Sequence, residues 1–499
     1  AAALEPGARH PLVVWGPPGT GKSTLAAFIV WHLVQQWPTR LHVLVASPSN
    51  TGADVLCAKL AKMGLDRGQM LRLNALGRSF STVPEAIRPF CAVEERGEDG
   101  RPAFVVPPLE QVQKYKVIVS TCICAAHLSN ALRAGGGSSS SGWFSHVVVD
   151  EAGEATEPET LVPLALLRPV AGRALLLGDH FQLGPLVLAP LANRLAKLER
   201  SMIERLANER FAFVRSSASK DLSQDALKAC EERDLYFLTE SYRSHPAIMG
   251  LYSELFYSGQ LEHRARESQG ALLRFFEERG RAAPVIMHNV VGRERRDAGS
   301  ASVYNAEEIA VVQSYLKDLL SDASLGLKGS DIGIIAPYTK QVQAMERQIG
   351  TLGPAFAGVE CGTVEHFQGQ ERRVVILTTV RSSRGDGEGG SRRPIGFLSN
   401  PKRLNVSISR AVAGLVLVGD LQALASHSDK WHRLIELGKG MGAIMGEPMR
   451  ARRAAAAPPA AGQAAKEAGD AALLGREEPV RRAVPVTEQA AALDQVLGA

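Results

Sequence analysis

Apolar residues in this chain fall into two kinds of stretch, and the two kinds alternate. Leu12 to Trp15, Leu41 to Ala46, Lys116 to Ser120, His146 to Val149 and Ala174 to Leu177 are short and almost continuously apolar. Runs of this sort predict strands buried on both faces of a parallel sheet. Thr24 to Val34 carries its apolar residues at helical spacing instead. A second series begins near Leu235, with strand candidates at Val285 to His288, Ile332 to Ala336, Val374 to Thr379 and Gly414 to Val418. Helical patterns lie between them, as at Glu307 to Leu320 and Lys340 to Ile349. Alternating strands and helices predict an α/β fold with two parallel sheets. The expected division is a first domain over residues 1–234, a second over 235–447 and a tail over 448–499. Residues 190–234 read as charged helix that completes the first domain.

Other segments read as connections. Ala134 to Gly142 is a glycine and serine run, expected as a surface loop. The tail is Ala-rich, with no aromatic residue after Trp431, and reads as disordered or weakly helical. The other reading there is a short partner-binding helix around Glu488 to Val496. No repeat of a fixed period is visible.

Composition narrows the class. At 499 residues the chain exceeds one core. A net charge of +5 is compatible with a nucleic-acid partner without requiring one. Six cysteines without a CxxC pair read as free thiols in a reducing compartment. No apolar run has the length of a membrane span, and the first ten residues lack a signal peptide's apolar centre. The expectation is an intracellular protein. With only fifteen residues ahead of Gly16, the sequence also reads as the C-terminal part of something longer.

Candidate chemistry begins at Gly16-Pro17-Pro18-Gly19-Thr20-Gly21-Lys22-Ser23, which fits the phosphate-loop pattern. It lies between a predicted strand and a predicted helix that opens near Thr24. There, backbone N–H groups and the positive end of a helix converge on a phosphate. Lys22 would reach the β- and γ-phosphates, and the Ser23 hydroxyl would hold Mg²⁺. The run His146 to Val149 delivers Asp150-Glu151. A phosphate-loop ATPase needs an acid for Mg²⁺ and a base for the attacking water, and Asp150 and Glu151 fit those roles in that order. Gln182, after the next strand, could bond both the γ-phosphate and the water; the plainer reading is a solvated loop residue. Ser47 to Thr51 ends a buried strand, where open α/β sheets bind ligands, or is an ordinary turn. In the second half Tyr242 to Pro246 and Asn405 to Arg410 each carry an arginine in a short polar block. Such arginines can neutralise a γ-phosphate across a cleft, or can be surface charges. The Arg384 to Arg393 loop is glycine-rich but opens no helix, which excludes a second nucleotide site.

Taken together, the blocks GPPGTGKST, ASPSNTGAD, VSTC, VVVDEAG, LLLGDHFQL, ESYRSHP, IIAPYTKQV, GTVEHFQGQE and NVSISRA resemble, in content and order, the superfamily 1 helicases of the up-frameshift group. They run from residue 12 to about 420. A finer resemblance is to the Mov-type helicases, which include Armitage and the plant silencing-defective helicase. It rests on LRLNALGRSFSTVPEAIRPFC at 71–91, GFLSNPKRLNVSISRA at 396–411 and the ending SDKWHRLIELGKGMGA.

The resemblance implies two RecA-like domains with ATP and Mg²⁺ between them and single-stranded RNA, or DNA, across both. Carried over by position, Gly16 to Thr24 hold the phosphates, with Lys22 and Ser23 as charge and Mg²⁺ ligand. Asp150 and Glu151 serve metal and water, and Gln182 reads the γ-phosphate. Tyr242 would stack on adenine, Arg243 and Arg410 would be arginine fingers, and Glu371 would meet the ribose or the cleft edge. Ser49, Asn50, Thr121, Tyr338 and Thr363 would line the nucleic-acid track, mainly through phosphate and sugar. The implied protein is a cytoplasmic, monomeric, ATP-dependent 5′-to-3′ RNA helicase or translocase, with silencing or decay ribonucleoproteins as partners. A DNA helicase of the same superfamily and an ATP-gated RNA clamp are the alternatives; a kinase or transport ATPase fits the paired arginines poorly. Departures from the family pattern are His366, Ser407 and Val412 at positions usually filled otherwise. The upstream glutamine block and the accessory barrel are not in this sequence, so base selectivity and duplex separation stay open.

Overall fold

The computed structural model describes residues 11–37, 41–96, 101–134, 142–169, 171–217, 234–265, 270–296, 302–384 and 396–449. Most of the loops expected at 134–142 and 384–393 lies outside these residues, as do the tail from 450 and the helix expected at 488–496. The chain divides into two compact units between Glu240 and Ser241.

In the first unit seven strands form one sheet, in the order Met70–Leu73, Val117–Thr121, Val43–Ser47, His146–Val149, Arg173–Gly178, Leu12–Trp15 and Leu235–Phe237. Every neighbouring pair is parallel. Val13, Leu44, Ile118, Val147 and Leu176 share one core. The alternate residues Val14, Val45, Val119, Val148 and Leu175 are buried as well. Both sheet faces are therefore covered, which is why the strands read as continuous apolar runs. Helix Lys22–Gln36 buries Ala26, Ile29, Val30, Leu33 and Val34. Helix Asn50–Lys62 buries Ala53, Leu56, Cys57 and Leu60.

Two strands of this sheet differ from the pattern-based expectation. Met70–Leu73 has an arginine in its middle, and Arg72 is fully buried. Its guanidinium donates to Asp54 Oδ1 at 2.9 Å, to the Leu73 carbonyl at 2.6 Å and to Asn50 Oδ1 at 3.1 Å. Arg78 adds a second cation 2.6 Å from Asp54 Oδ2. A charge inside a sheet persists only with such partners. Leu235–Phe237 pairs in register with Leu12–Trp15. A boundary between 234 and 235 would detach it from that sheet.

The second unit repeats the plan with six strands in the order Glu360–Gly362, Ile332–Ile335, Arg372–Thr378, Ala411–Gly419, Val285–Asn289 and Ile444–Gly446. All neighbours are parallel. Ile286, Ile334, Ile376 and Val416 pack with Ile309, Val312 and Leu316 of helix Ala306–Ser321. The two edge strands have three residues each, too short to show a period. An antiparallel hairpin of Glu294–Arg296 and Val303–Asn305 precedes that helix. Among the described residues no helix is long and apolar enough to cross a membrane. The described cysteines, Cys57, Cys91, Cys122, Cys124 and Cys361, are free thiols.

Candidate functional site

The strand Leu12–Trp15 runs into Gly16, whose N–H donates to the Gly178 carbonyl at 3.0 Å. The loop then doubles back through Gly19 and Gly21, at φ of +75° and +82°. That left-handed region is open to glycine at little cost. A Cβ on Gly16 would sit 2.4 Å from Lys22 Cγ, so glycine there lets the lysine pass. The buried Lys22 ammonium donates to the Gly16 carbonyl at 2.7 Å, and Thr20 Oγ1 donates to the Pro17 carbonyl at 2.8 Å. Helix Lys22–Gln36 starts from Gly21 with no side-chain cap and no acid in its first turn. Its first N–H groups and its positive end thus have no side-chain anion, the condition for binding a phosphate.

Asp150 follows the strand His146–Val149, and its N–H donates to the Ala46 carbonyl at 2.9 Å. Its carboxyl is 1% exposed, and Oδ1 has no hydrogen-bond partner. Burial, then the charge of Glu151, pushes its pKa up to about 6, while the Ser23 hydroxyl and the Lys22 charge pull the other way. An orphaned, buried carboxylate oxygen beside a serine hydroxyl fits a hard cation held by few protein ligands, as Mg²⁺ is. Among the described residues no three His, Cys, Asp or Glu side chains form a larger metal cage.

Glu151 adopts φ +54°, which is uncommon for a residue with a Cβ and typical of strained functional turns. The Ala152 N–H to the Leu177 carbonyl, at 2.8 Å, ties this turn to the next strand. The turns after His146–Val149 and Arg173–Gly178 touch backbone to backbone. A Cβ on Gly178 would lie 2.8 Å from the Gly153 nitrogen, and one on Gly153 would lie 2.9 Å from the Asp179 carbonyl oxygen. Gln182 donates to Asp179 Oδ2 at 2.9 Å. The buried Asp179 also accepts from the Trp15 indole at 3.0 Å and the Phe181 N–H at 3.1 Å. Asp179 was not singled out from the sequence, yet it links Gln182 to the strand carrying the phosphate loop. The acid three residues before Gln182 was the available signal.

Of the residues expected on the nucleic-acid track, Ser49, Asn50 and Thr121 follow or end adjacent strands that pair Ser47 with Thr121. Ser49 is exposed and caps helix Asn50–Lys62, accepting from the Gly52 N–H at 3.0 Å. Asn50 accepts from Arg72, and the buried Thr121 accepts from the Cys124 N–H at 3.2 Å. Tyr338 and Thr363 hold the matching place in the second unit, just past strands that pair Ile335 with Gly362.

The second unit also brings four predicted residues into one region. Arg243 Nε donates to Glu371 Oε2 at 2.6 Å, and Arg243 Nη1 donates to the Ser409 carbonyl at 3.3 Å. Arg410, 3% exposed, donates to the carbonyls of Val406 at 3.3 Å and Gln370 at 3.2 Å. Tyr242, next to Arg243, is 50% exposed, the condition for stacking on a base.

A phosphate loop, an acid pair and a glutamine at the carboxyl ends of parallel strands form the arrangement that phosphate-loop nucleotide-binding folds share. The comparisons agree. Residues 2–100 and 108–190 match one AAA-domain family model, and residues 199–422 match a second. The chain is 35% identical over 469 residues to "Putative helicase MOV-10" of Gallus gallus, covering 88% of this chain and 45% of that protein. It is 35% identical over 420 residues to "RNA helicase Mov10l1" of Mus musculus, covering 83% of this chain and 33% of that one. With "Probable RNA helicase armi" of Drosophila melanogaster the identity is 32% over 448 residues, covering 85% and 36%. The chain thus spans less than half the length of these relatives. It belongs to the superfamily 1B helicases of the up-frameshift-like group, with the Mov-type and Armitage helicases among its relatives.

Proposed function

We propose that this chain is the ATP-hydrolysing motor of an RNA helicase or translocase, moving 5′ to 3′ along single-stranded RNA. The observation that carries the reading is the first unit's site, where Lys22, Asp150, Glu151 and Gln182 all follow strands that run in parallel through one sheet. The names of the relatives point to RNA as the strand. In this reading Gly16 to Thr24 cradle the β- and γ-phosphates, and the Lys22 ammonium moves from loop carbonyls to phosphate oxygens. Ser23 and Asp150 would hold Mg²⁺, which supplies positive charge to the phosphates when bound. Glu151 takes the proton of the attacking water, and Gln182, held by Asp179, orients that water. Tyr242 stacks on the base, Glu371 meets the ribose, and Arg243 and Arg410 neutralise the γ-phosphate in the transition state. Ser49, Asn50, Thr121, Tyr338 and Thr363 contact the strand. The setting consistent with this is a monomer in cytoplasmic silencing or decay ribonucleoproteins.

The test is ATP hydrolysis by the chain alone, with single-stranded RNA and with single-stranded DNA, for wild type and Glu151→Gln. Strand-stimulated hydrolysis, lost in the variant while ATP binding persists, is the expected result. Undiminished turnover in Glu151→Gln would overturn the assignment. Stimulation by DNA alone would replace RNA with DNA as the strand.

A further inference from the structure

A basic cavity of about 450 Å³ opens in the second unit, lined by Arg296, Tyr338, Arg381, Ser399, Asn400 and Arg403 among others. Its lining holds three guanidinium groups and no carboxylate. Two of the three are held in place from outside the lining. Arg381 Nη1 donates to the buried Glu294 at 2.7 Å, and Arg403 Nη2 lies 2.7 Å from Glu365. Arg296, on the exposed hairpin strand, has no ion pair with any described residue and leaves the lining with net positive charge.

Two helices also begin at the lining. Thr339–Gly350 starts after Tyr338 with no acid in its first turn, and Pro401–Ser409 starts after Asn400, whose side chain accepts from the Lys402 N–H at 2.9 Å. Their positive ends add to the arginine charge. Guanidinium groups oriented by fixed partners, a phenol, a hydroxyl and an amide suit a phosphodiester with its sugar. The volume is in the range that binds small organic groups. The four segments that contribute are the hairpin, the Tyr338 turn, the turn after Arg372–Thr378 and the 396–403 segment, so the basic lining is assembled only by folding.

We propose that this cavity seats backbone phosphate of the single strand, adding Arg296, Arg381 and Arg403 to the track on which Tyr338 lies. The inference rests on the reading of the chain as a motor on single-stranded nucleic acid. It makes the contact one to charge and sugar, so strand affinity through this site is independent of base sequence and sensitive to salt.

The experiment is anisotropy of a labelled single-stranded RNA across a salt series, for wild type, Arg296→Gln, Arg403→Gln and Arg296→Lys. Each glutamine variant should lower the slope of log affinity against log salt by about 0.7, the value for one single-strand phosphate contact. Affinity at low salt should fall several-fold, equally on purine-rich and pyrimidine-rich strands. Arg296→Lys should keep the wild-type slope. A thermal melt within a degree or two of wild type certifies that the variants are folded. Glutamine variants with the wild-type slope and affinity would overturn the cavity's role while leaving the motor reading intact. A wild-type chain that binds no strand would overturn both.

Discussion

Replacing Glu308 tests how a buried acid holds the turn that delivers Arg381. Glu308 lies in the first turn of helix Ala306–Ser321 and is fully buried. Its Oε2 accepts from the Thr379 and Val380 N–H groups, both at 2.9 Å, and from the Thr378 hydroxyl. Its Oε1 accepts from Asn305 Nδ2 at 3.3 Å. Val380, a β-branched residue, sits at φ +69°. Holding it there costs about 1–3 kcal/mol, which the acid's two backbone bonds offset. Despite these donors, burial first, helped by the charge of Asp420, pushes the Glu308 pKa up from 4.5 to about 8. The folded chain therefore keeps a proton that the unfolded chain loses near pH 4.5. The stability this supplies is fully present below that pH and is lost as pH rises through about 8. At about 1.4 kcal/mol per unit, the fall across the interval is on the order of 5 kcal/mol. For a unit of this size that is roughly a 10 °C drop in melting temperature, or more. Glu308→Gln cannot ionise. It should lose about 1–3 kcal/mol at pH 5 through one or two poorer hydrogen bonds, and melt with little pH dependence up to pH 8. Glu308→Ala leaves several donors buried without an acceptor and should lose about 3–6 kcal/mol at every pH. Calorimetric melting from pH 5 to 8 reads both. Parallel pH profiles for wild type and Glu308→Gln would show that Glu308 is not the group whose titration sets the pH dependence.

Asp54→Ala should destabilise the first unit by about 3–5 kcal/mol, because Arg72 is left as a buried charge without its carboxylate; replacing Arg72 and Asp54 together by leucine should recover much of the loss. Denaturant melts of the single and double variants check this, and equal losses in the two would contradict it. Asp179→Asn should lower ATP turnover tenfold or more at near-constant ATP affinity, because an asparagine cannot accept from Trp15, Phe181 and Gln182 together. Steady-state kinetics with a direct binding measurement separate the two effects.

Much of this architecture was legible in the apolar runs, because a strand buried on both faces has little choice of residue. His146–Val149 matched its run residue for residue, and Ala411–Gly419 extends the run found at 414–418 at both ends. Met70–Leu73 was hidden by Arg72, whose burial makes sense only once Asp54 and Arg78 are beside it. The phosphate loop and the acid pair are local motifs, so their positions could be read directly. The importance of Asp179 depends on Trp15, 164 residues away, and that of Glu308 on a turn some 70 residues further on. In sequence Glu308 is one of two adjacent glutamates at the start of an amphipathic helix, and nothing local separates it from Glu307. Arg296, Arg381 and Arg403 are likewise scattered in sequence, and only folding brings them to one cavity.

Gly153 and Gly178 carry a consequence for how the site can change over time. Because main chain rests on main chain there, the separation between the turn bearing Glu151 and the turn bearing Gln182 is gauged by atomic radii common to all residues. Side chains elsewhere in the core can be exchanged and the sheet can breathe by small amounts, yet this gap has a hard stop. The pair works as a mechanical datum, so the Glu151 and Gln182 turns keep their spacing while the protein around them drifts.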